Sequence, residues 1–237
     1  MTGTGGRKPA VGRPGVPEIV YEDGSCMVVN KPAGLAVQGG KGIGVSLDGI
    51  LAASRPERPL LVHRLDRDTS GLVLVAKNRA AAAFFSKLLG GGRGGSDSGS
   101  GGAVKRYLAV CGGKPEKPAG TIRLDLDVRG SAKKSETRYR LLETLSVGGF
   151  CLLELELGTG RMHQIRRHLA MSGTPVLGDD KYGDFALNRA LRKTRNLRRL
   201  LLHASRLVVP ETPDGLRLDV EAPPPGYFAD FLDAAED

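Results

Sequence analysis

The sequence predicts one globular domain in which many short strands are interleaved with a few helices. Three observations carry this. Apolar, β-prone runs recur along the chain, helical periodicity is confined to a few stretches, and the strand patterns on either side of a Gly-rich tract look like parts of one sheet. With 237 residues, 40% of them apolar, the chain can bury a core without a disulfide or metal staple.

Residues 1–16 carry Gly, Pro and basic side chains without apolar periodicity and read as a flexible lead, outside a domain spanning 17–237. From Glu18 to Asn30, two apolar bursts around Tyr21 and Met27-Val28-Val29 read as a strand running into a loop, where Lys31-Pro32-Ala33-Gly34 forces a turn. Leu60-Leu61-Val62 and Leu72-Val73-Leu74-Val75 are buried strands flanking a charged connection. Arg79–Leu89 is a helix for which Asn78 is the N-cap. Between Gly90 and Gly102 the composition collapses to Gly with some Ser, which reads as a mobile loop inside the domain, with a domain linker as the rival reading. Strands follow at Tyr107–Cys111, Thr137–Leu142 and Phe150–Leu157, the last alternating Leu153, Leu155 and Leu157 against Glu154 and Glu156. Arg161–Ser172 has a helical period stopped by Gly173 and Pro175. Leu201–Val209 and Leu216–Val220 add strands, and Tyr227–Leu232 a closing helix. No internal repeat is present.

Lys and Arg number 35 against 26 Asp and Glu, a formal charge of +9, which favours a polyanionic partner. Cys26, Cys111 and Cys151 are far apart and odd in number, so neither a disulfide framework nor a zinc site is encoded, and a reducing cytoplasm is expected. Without a secretory leader or a run of some 18 apolar residues, no membrane association is expected. Neither a Walker motif nor a G-x-G-x-x-G after a strand occurs, so no nucleotide cofactor is expected. His163 and His168 lie five apart and do not share a helical face, which counts against a metal, and the absence of G-x-S-x-G counts against a serine hydrolase.

Chemistry is expected in Val62-His63-Arg64-Leu65-Asp66-Arg67-Asp68-Thr69-Ser70-Gly71, which sets polar side chains between apolar strands. For Arg67 and Asp68 turn chemistry suffices. Asp66, directly after Leu65, is partly desolvated and needs a cation to stay ionised. On the Arg161–Ser172 helix, Met162, Ile165 and Leu169 form one apolar stripe with Arg166 at its edge, while the other polar residues reach water more easily. A bidentate pair between Arg166 and Asp66 is one outcome, and a surface ion pair to a local Glu the ordinary one. Arg189, Arg192, Lys193, Arg195, Arg198 and Arg199 form a run without a compensating acid, better suited to phosphates than to a merely solvated helix face, and Lys105, Arg106, Lys133 and Lys134 extend the same surface.

These segments closely resemble the RluA-type pseudouridine synthases across roughly residues 18–222. The resemblance rests on His63-Arg64-Leu65-Asp66 with Thr69-Ser70-Gly71, and on Asn30-Lys31-Pro32-Ala33-Gly34, Lys105-Arg106-Tyr107-Leu108-Ala109, Gly160-Arg161-Met162-His163-Gln164-Ile165-Arg166 and Leu202-His203-Ala204 in the family's order. It implies an α+β fold with a mixed, largely antiparallel sheet flanked by helices and loops. It implies that Asp66 is the catalytic aspartate, Tyr107 lies against the target uracil, Arg166 pairs with the aspartate, and Arg64 reaches into the RNA. Lys31, Arg161, Arg192, Arg195 and Arg198 complete the expected RNA-binding set. Ala36-Val37-Gln38-Gly39-Gly40, Asp66-Arg67-Asp68 and Asp179-Asp180-Lys181-Tyr182-Gly183-Asp184 resemble the branch acting on large-subunit ribosomal RNA, group C, more than the tRNA-acting branches, and that branch usually carries an N-terminal S4 domain. This chain begins almost at the catalytic domain, and its Gly-rich tract replaces a charged connection. The expectation is a monomeric, cofactor-free RNA pseudouridine synthase acting on large-subunit ribosomal RNA, with tRNA or a non-catalytic RNA-binding or ribosome-assembly role as alternatives.

Overall fold

The computed structural model describes residues 15–90 and 102–236, apart from residues 129, 147, 214 and 216. Most of the expected N-terminal lead and residues 91–101 of the Gly-rich tract lie outside the described residues.

The first apolar segment is a hairpin rather than one strand. β1 (Ile19–Glu22) and β2 (Cys26–Lys31) pair antiparallel, because Asp23 closes a turn by accepting the Ser25 and Cys26 backbone N–H at 2.8 and 2.7 Å. Helix α1 (Leu47–Ser54), unforeseen in the sequence, is capped by Ser46, whose hydroxyl accepts the Gly49 N–H. β3 (Leu60–Leu61) pairs with β4 (Ser70–Ala76), and the 62–69 connection between them is short and tightly held. Asn78 caps α2 (Arg79–Gly90) as expected, with its Oδ1 2.8 Å from the Ala81 nitrogen.

Next come β5 (Val104–Gly112), β6 (Ala119–Arg123), β7 (Leu126–Val128), β8 (Ser131–Lys133), β9 (Glu136–Thr144) and β10 (Phe150–Leu157). After α3 (Gln164–Met171) and α4 (Phe185–Thr194), the chain ends with β11 (Leu202–Val209), β12 (Leu218–Glu221) and α5 (Gly226–Glu236).

Ten strands form one sheet in the order β1-β2-β4-β11-β5-β10-β9-β6, with β12 beside β11 and β3 beside β4. β4–β11 is its parallel pairing and the other named pairs are antiparallel. The mixed, largely antiparallel α+β architecture expected from the motifs is therefore present. Both faces of the central strands are covered, which explains why β4 reads as a continuous apolar run. Val73 and Val75 join Met27, Val29, Leu153, Leu155, Leu47, Ile165 and Leu169 on one face. Leu72 and Leu74 join Val28, Phe85 and Leu207 on the other. Val110, Phe150, Leu177 and Leu191 form a further core with Phe228 and Phe231 of α5.

Gly71 makes the β4–β11 junction possible. Its φ is +110°, and a Cβ there would lie 2.2 Å from the Ala204 carbonyl oxygen. This close approach aligns Ser70 with His203, and the ends of β4, β5, β11 and α3 converge below the 62–69 connection.

Candidate active site

The 62–69 connection is anchored from beneath by Lys31. Its ammonium is fully buried and donates to the carbonyls of Pro32, Leu35 and Arg67 at 3.0, 2.8 and 3.0 Å. Burial lowers its pKa to about 8, against the opposing pull of Asp68 and Asp66. The expectation that Lys31 binds RNA is corrected: its donors are spent on the main chain and no part of it reaches the surface. The Gly34 N–H and the Arg67 carbonyl add a bond of 2.8 Å, so the Lys-Pro-Ala-Gly turn and the loop are laced together. His63 fixes the other end, accepting the Leu74 N–H at 2.9 Å through Nε2; burial, helped by the charge of Lys105, lowers its pKa to about 3.

Leu65 is buried and holds Asp66 at the floor of a cleft of about 260 Å3. The Asp66 side chain is 23% exposed, and its two oxygens meet different partners: Oδ1 lies 3.7 Å from His163 Nε2 and Oδ2 lies 3.7 Å from Arg166 Nη1. Arg166 therefore does reach Asp66, but the bidentate partner is another residue. Its Nε and Nη2 donate to Asp179 Oδ2 and Oδ1, both at 2.7 Å. Asp179, itself 1% exposed, holds two further bonds from the Lys181 and Tyr182 N–H groups. Burial pushes the Asp179 carboxyl upward, yet these donors outweigh it and leave its pKa below the ordinary value. Burial likewise works against the Arg166 charge, and the surrounding aspartates reverse that and raise its pKa.

Helix α3 departs from the expected stripe. It begins at Gln164, since His163 adopts the left-handed conformation (φ 53°, ψ 28°), and Met162 is 62% exposed. Gln164 and His168, expected to reach water, are buried. Gln164 donates to the Glu136 carbonyl and Thr137 Oγ1 at 2.8 and 3.1 Å, and its Oε1 accepts Thr159 Oγ1 and the Arg161 N–H. His168 bonds Thr137 Oγ1 and Ser135 Oγ, both at 2.9 Å, so polar bonds rather than apolar packing alone clamp α3 to β9. Sequence reasoning missed these partners because they are set by the β9 register.

Tyr107, on β5 opposite Leu155 and Ala204, lines the cleft and is 5% exposed. Burial, reinforced by the charge of Asp66, raises its phenol well above the ordinary tyrosine value. Val62, Leu157, Ile165 and Leu202 supply apolar walls, and Arg64, Lys105 and Arg161 add cations. At this size the cleft suits one planar base rather than a helix. Arg64 and Arg161 are both exposed.

The remaining basic residues divide. Arg192 and Arg198 line a neighbouring groove with Gly34, Asp68, Asp180 and Arg199, next to the Asp66 loop. Arg195, expected to bind RNA with them, is not part of that groove: its partly exposed guanidinium donates to the Ala234 carbonyl and ties the end of α4 to α5. Cys111 and Cys151, distant in sequence, face each other across β5 and β10 as free thiols. Among the described residues no cluster of three His, Cys, Asp or Glu is arranged to hold a metal, and no helix is long and apolar enough to cross a membrane.

A carboxylate between two basic side chains, a buried tyrosine and a cationic rim around a base-sized cleft define an enzyme-like site for a nucleic-acid base. Residues 25–171 match the family described as RNA pseudouridylate synthase. Ribosomal large subunit pseudouridine synthase C of Rickettsia felis is 38% identical over 226 residues, covering 90% of this chain and 69% of that protein. The protein of that name from Escherichia coli K12 is 36% identical over 220 residues, covering 86% and 66%. Among solved structures, human RNA pseudouridylate synthase domain containing 4 superposes with a TM-score of 0.71 at 26% identity, covering 91% of both chains. Human RNA pseudouridylate synthase domain containing 1 gives 0.66 at 28%, covering 87% and 83%. The chain belongs to the RNA pseudouridylate synthase family and is an RNA pseudouridine synthase.

Proposed function

We propose that this enzyme isomerises specific uridines in large-subunit ribosomal RNA, with Asp66 as the catalyst and Tyr107 and Arg166 as its partners. The observation that carries the reading is the placement of the Asp66 carboxylate in the cleft, 3.7 Å from both His163 and Arg166. In the reaction the N1–C1′ bond breaks and a C5–C1′ bond forms, while C5 loses a proton and N1 regains one. The detached uracil must be held throughout. A carboxylate placed in the cleft serves attack on C1′, attack on C6 or a glycal route alike.

Tyr107 forms a wall against which the base stacks. Burial first, and the charge of Asp66 second, raise its pKa and keep the hydroxyl protonated at rest. Arg64 and Arg161 at the rim meet the flanking phosphates, and Arg64 fills the space left by the extruded nucleotide; flipping that nucleotide costs about a few kcal/mol. Arg192 and Arg198 continue the phosphate track along the neighbouring groove.

The ribosomal assignment rests on the names of the relatives in Rickettsia and Escherichia. Residues 17–237 work as the catalytic domain, as a monomer, in a reducing cytoplasm compatible with Cys26, Cys111 and Cys151 forming no disulfide. The test is pseudouridine mapping of total RNA from cells with and without the gene. Sites in large-subunit ribosomal RNA that vanish on deletion and return with the wild-type gene support the assignment; sites confined to tRNA refute it.

A further inference from the structure

We infer that Asp179 and Tyr182, in the loop before α4, are positioning residues that set the orientation of both Asp66 oxygens, acting through Arg166 and His163. The inference rests on the reading of Asp66 as the catalyst. Neither residue touches the cleft; each grips a side chain that does.

Arg166 has three nitrogens to place. Asp179 takes Nε and Nη2 in a planar, bidentate pair, which leaves Nη1 aimed at Asp66 Oδ2. Asp179 is held in turn. Its Oδ1 accepts two backbone N–H groups at 2.9 Å, and its carbonyl accepts Asn188 Nδ2 at 2.9 Å. The loop wraps so closely that a Cβ on Gly183 would sit 2.5 Å from the Asp179 carbonyl oxygen. The guanidinium consequently has one orientation available, set from outside the cleft.

Tyr182 acts on the second partner. Its hydroxyl lies 3.0 Å from His163 Nδ1, its ring meets the imidazole edge-on at 5.6 Å, and the Arg166 guanidinium lies 5.3 Å from the ring centroid. An ionised carboxylate only accepts hydrogen bonds, so the neutral imidazole is favourable beside Asp66 when Nε2 carries its proton. Nδ1 must then accept, and the Tyr182 hydroxyl is the donor that makes it do so. Tyr182 thereby selects the tautomer that faces the nucleophile. The left-handed φ of 53° at His163, uncommon for a residue other than glycine, turns the imidazole out of the helical path and toward Asp66.

Tyr182→Phe removes the hydroxyl and keeps the ring, and Asp179→Asn removes the charge and keeps the volume. The full chain is assayed for single-turnover pseudouridine formation on a uridine-containing ribosomal RNA fragment, alongside RNA affinity, melting temperature and the imidazole 15N shifts of His163. In the wild type the shifts should report the Nε2–H tautomer. In Tyr182→Phe a mixture of tautomers is expected, with the rate falling about 10-fold, RNA affinity held within about twofold and melting within about 2 °C. Asp179→Asn should slow the step about 100-fold at similar affinity. An unchanged tautomer and rate in Tyr182→Phe, or rate losses matched by equal losses of RNA binding, overturn the inference. Asp66→Asn is run in parallel to separate the two claims: if it is inactive beside a fully active Tyr182→Phe, positioning alone fails, and if it is itself active, the reading of Asp66 as catalyst fails.

Discussion

Replacing Arg166 with methionine separates what this side chain does for the fold from what it does for Asp66. The guanidinium is 5% exposed and the Asp179 carboxylate 1% exposed, with two bonds of 2.7 Å between them. Removing one member of such a pair leaves a buried charge without its counter-ion, at a cost of about 3–5 kcal/mol. For a domain of this size that lowers the melting temperature by roughly 6–20 °C. Adding Asp179→Asn removes the stranded charge while keeping an oxygen for the Lys181 and Tyr182 N–H groups, so most of the stability should return. Catalysis should not return with it. Asp66 still lacks the cation 3.7 Å from its Oδ2, and a misplacement of about 1 Å at a reacting centre costs about 100-fold in rate. Urea unfolding gives the stabilities and single-turnover conversion gives the rates. A single variant that loses less than about 1 kcal/mol refutes the buried-pair argument, and a double variant that regains full activity refutes the action of Arg166 on Asp66.

Three further outcomes are expected. His63, His168 and His203 all have lowered pKa values because burial favours the neutral ring, whereas unfolded imidazoles titrate near 6.5. The unfolded chain then binds more protons as pH falls below 6.5, so stability present at pH 7.5 is lost toward pH 5, by about 2 kcal/mol for His63 alone; a urea midpoint that does not move between these pH values contradicts this. Gly71→Ala should destabilise by more than about 3 kcal/mol, since the new Cβ must displace the Ala204 backbone at a φ that L residues rarely adopt, and a near-neutral melting shift would mean that β4 and β11 are not so closely joined. Arg192→Ala with Arg198→Ala should lower the salt slope of RNA binding by up to about 2, whereas Arg195→Ala should chiefly cost stability; an unchanged slope removes the groove from the RNA path.

The sequence was most legible where one physical signal dominated. The ends of β10 follow directly from its Leu and Glu alternation, and β4 from an apolar run buried on both faces. β6, β7 and β8 carried no such signal, being short and rich in Gly, Ser and charged residues. α1 had Ser46 and Asp48 as start signals, but Gly49 in its first turn and its brevity concealed it. Within the site, Asp66 stood out as a carboxylate placed against buried strands. The tie between Arg166 and Asp179 did not, because a loop rather than a helical period brings them together. Lys31 misled for a general reason: lysine is seldom fully buried, and a Pro-Gly turn beside it reads as surface. The left-handed His163 shortened α3 and turned Met162 outward, and no residue pattern announces a positive φ at a histidine.

The most direct test of Asp66 as the catalyst is single-turnover conversion of uridine by purified wild type and Asp66→Asn, on large-subunit ribosomal RNA taken from cells lacking the gene. Asn keeps the volume of the side chain and one acceptor oxygen but carries no nucleophilic charge. The variant is expected to bind this RNA with wild-type affinity and to form no pseudouridine, and conversion at a rate near that of the wild type would show that Asp66 is not the catalyst.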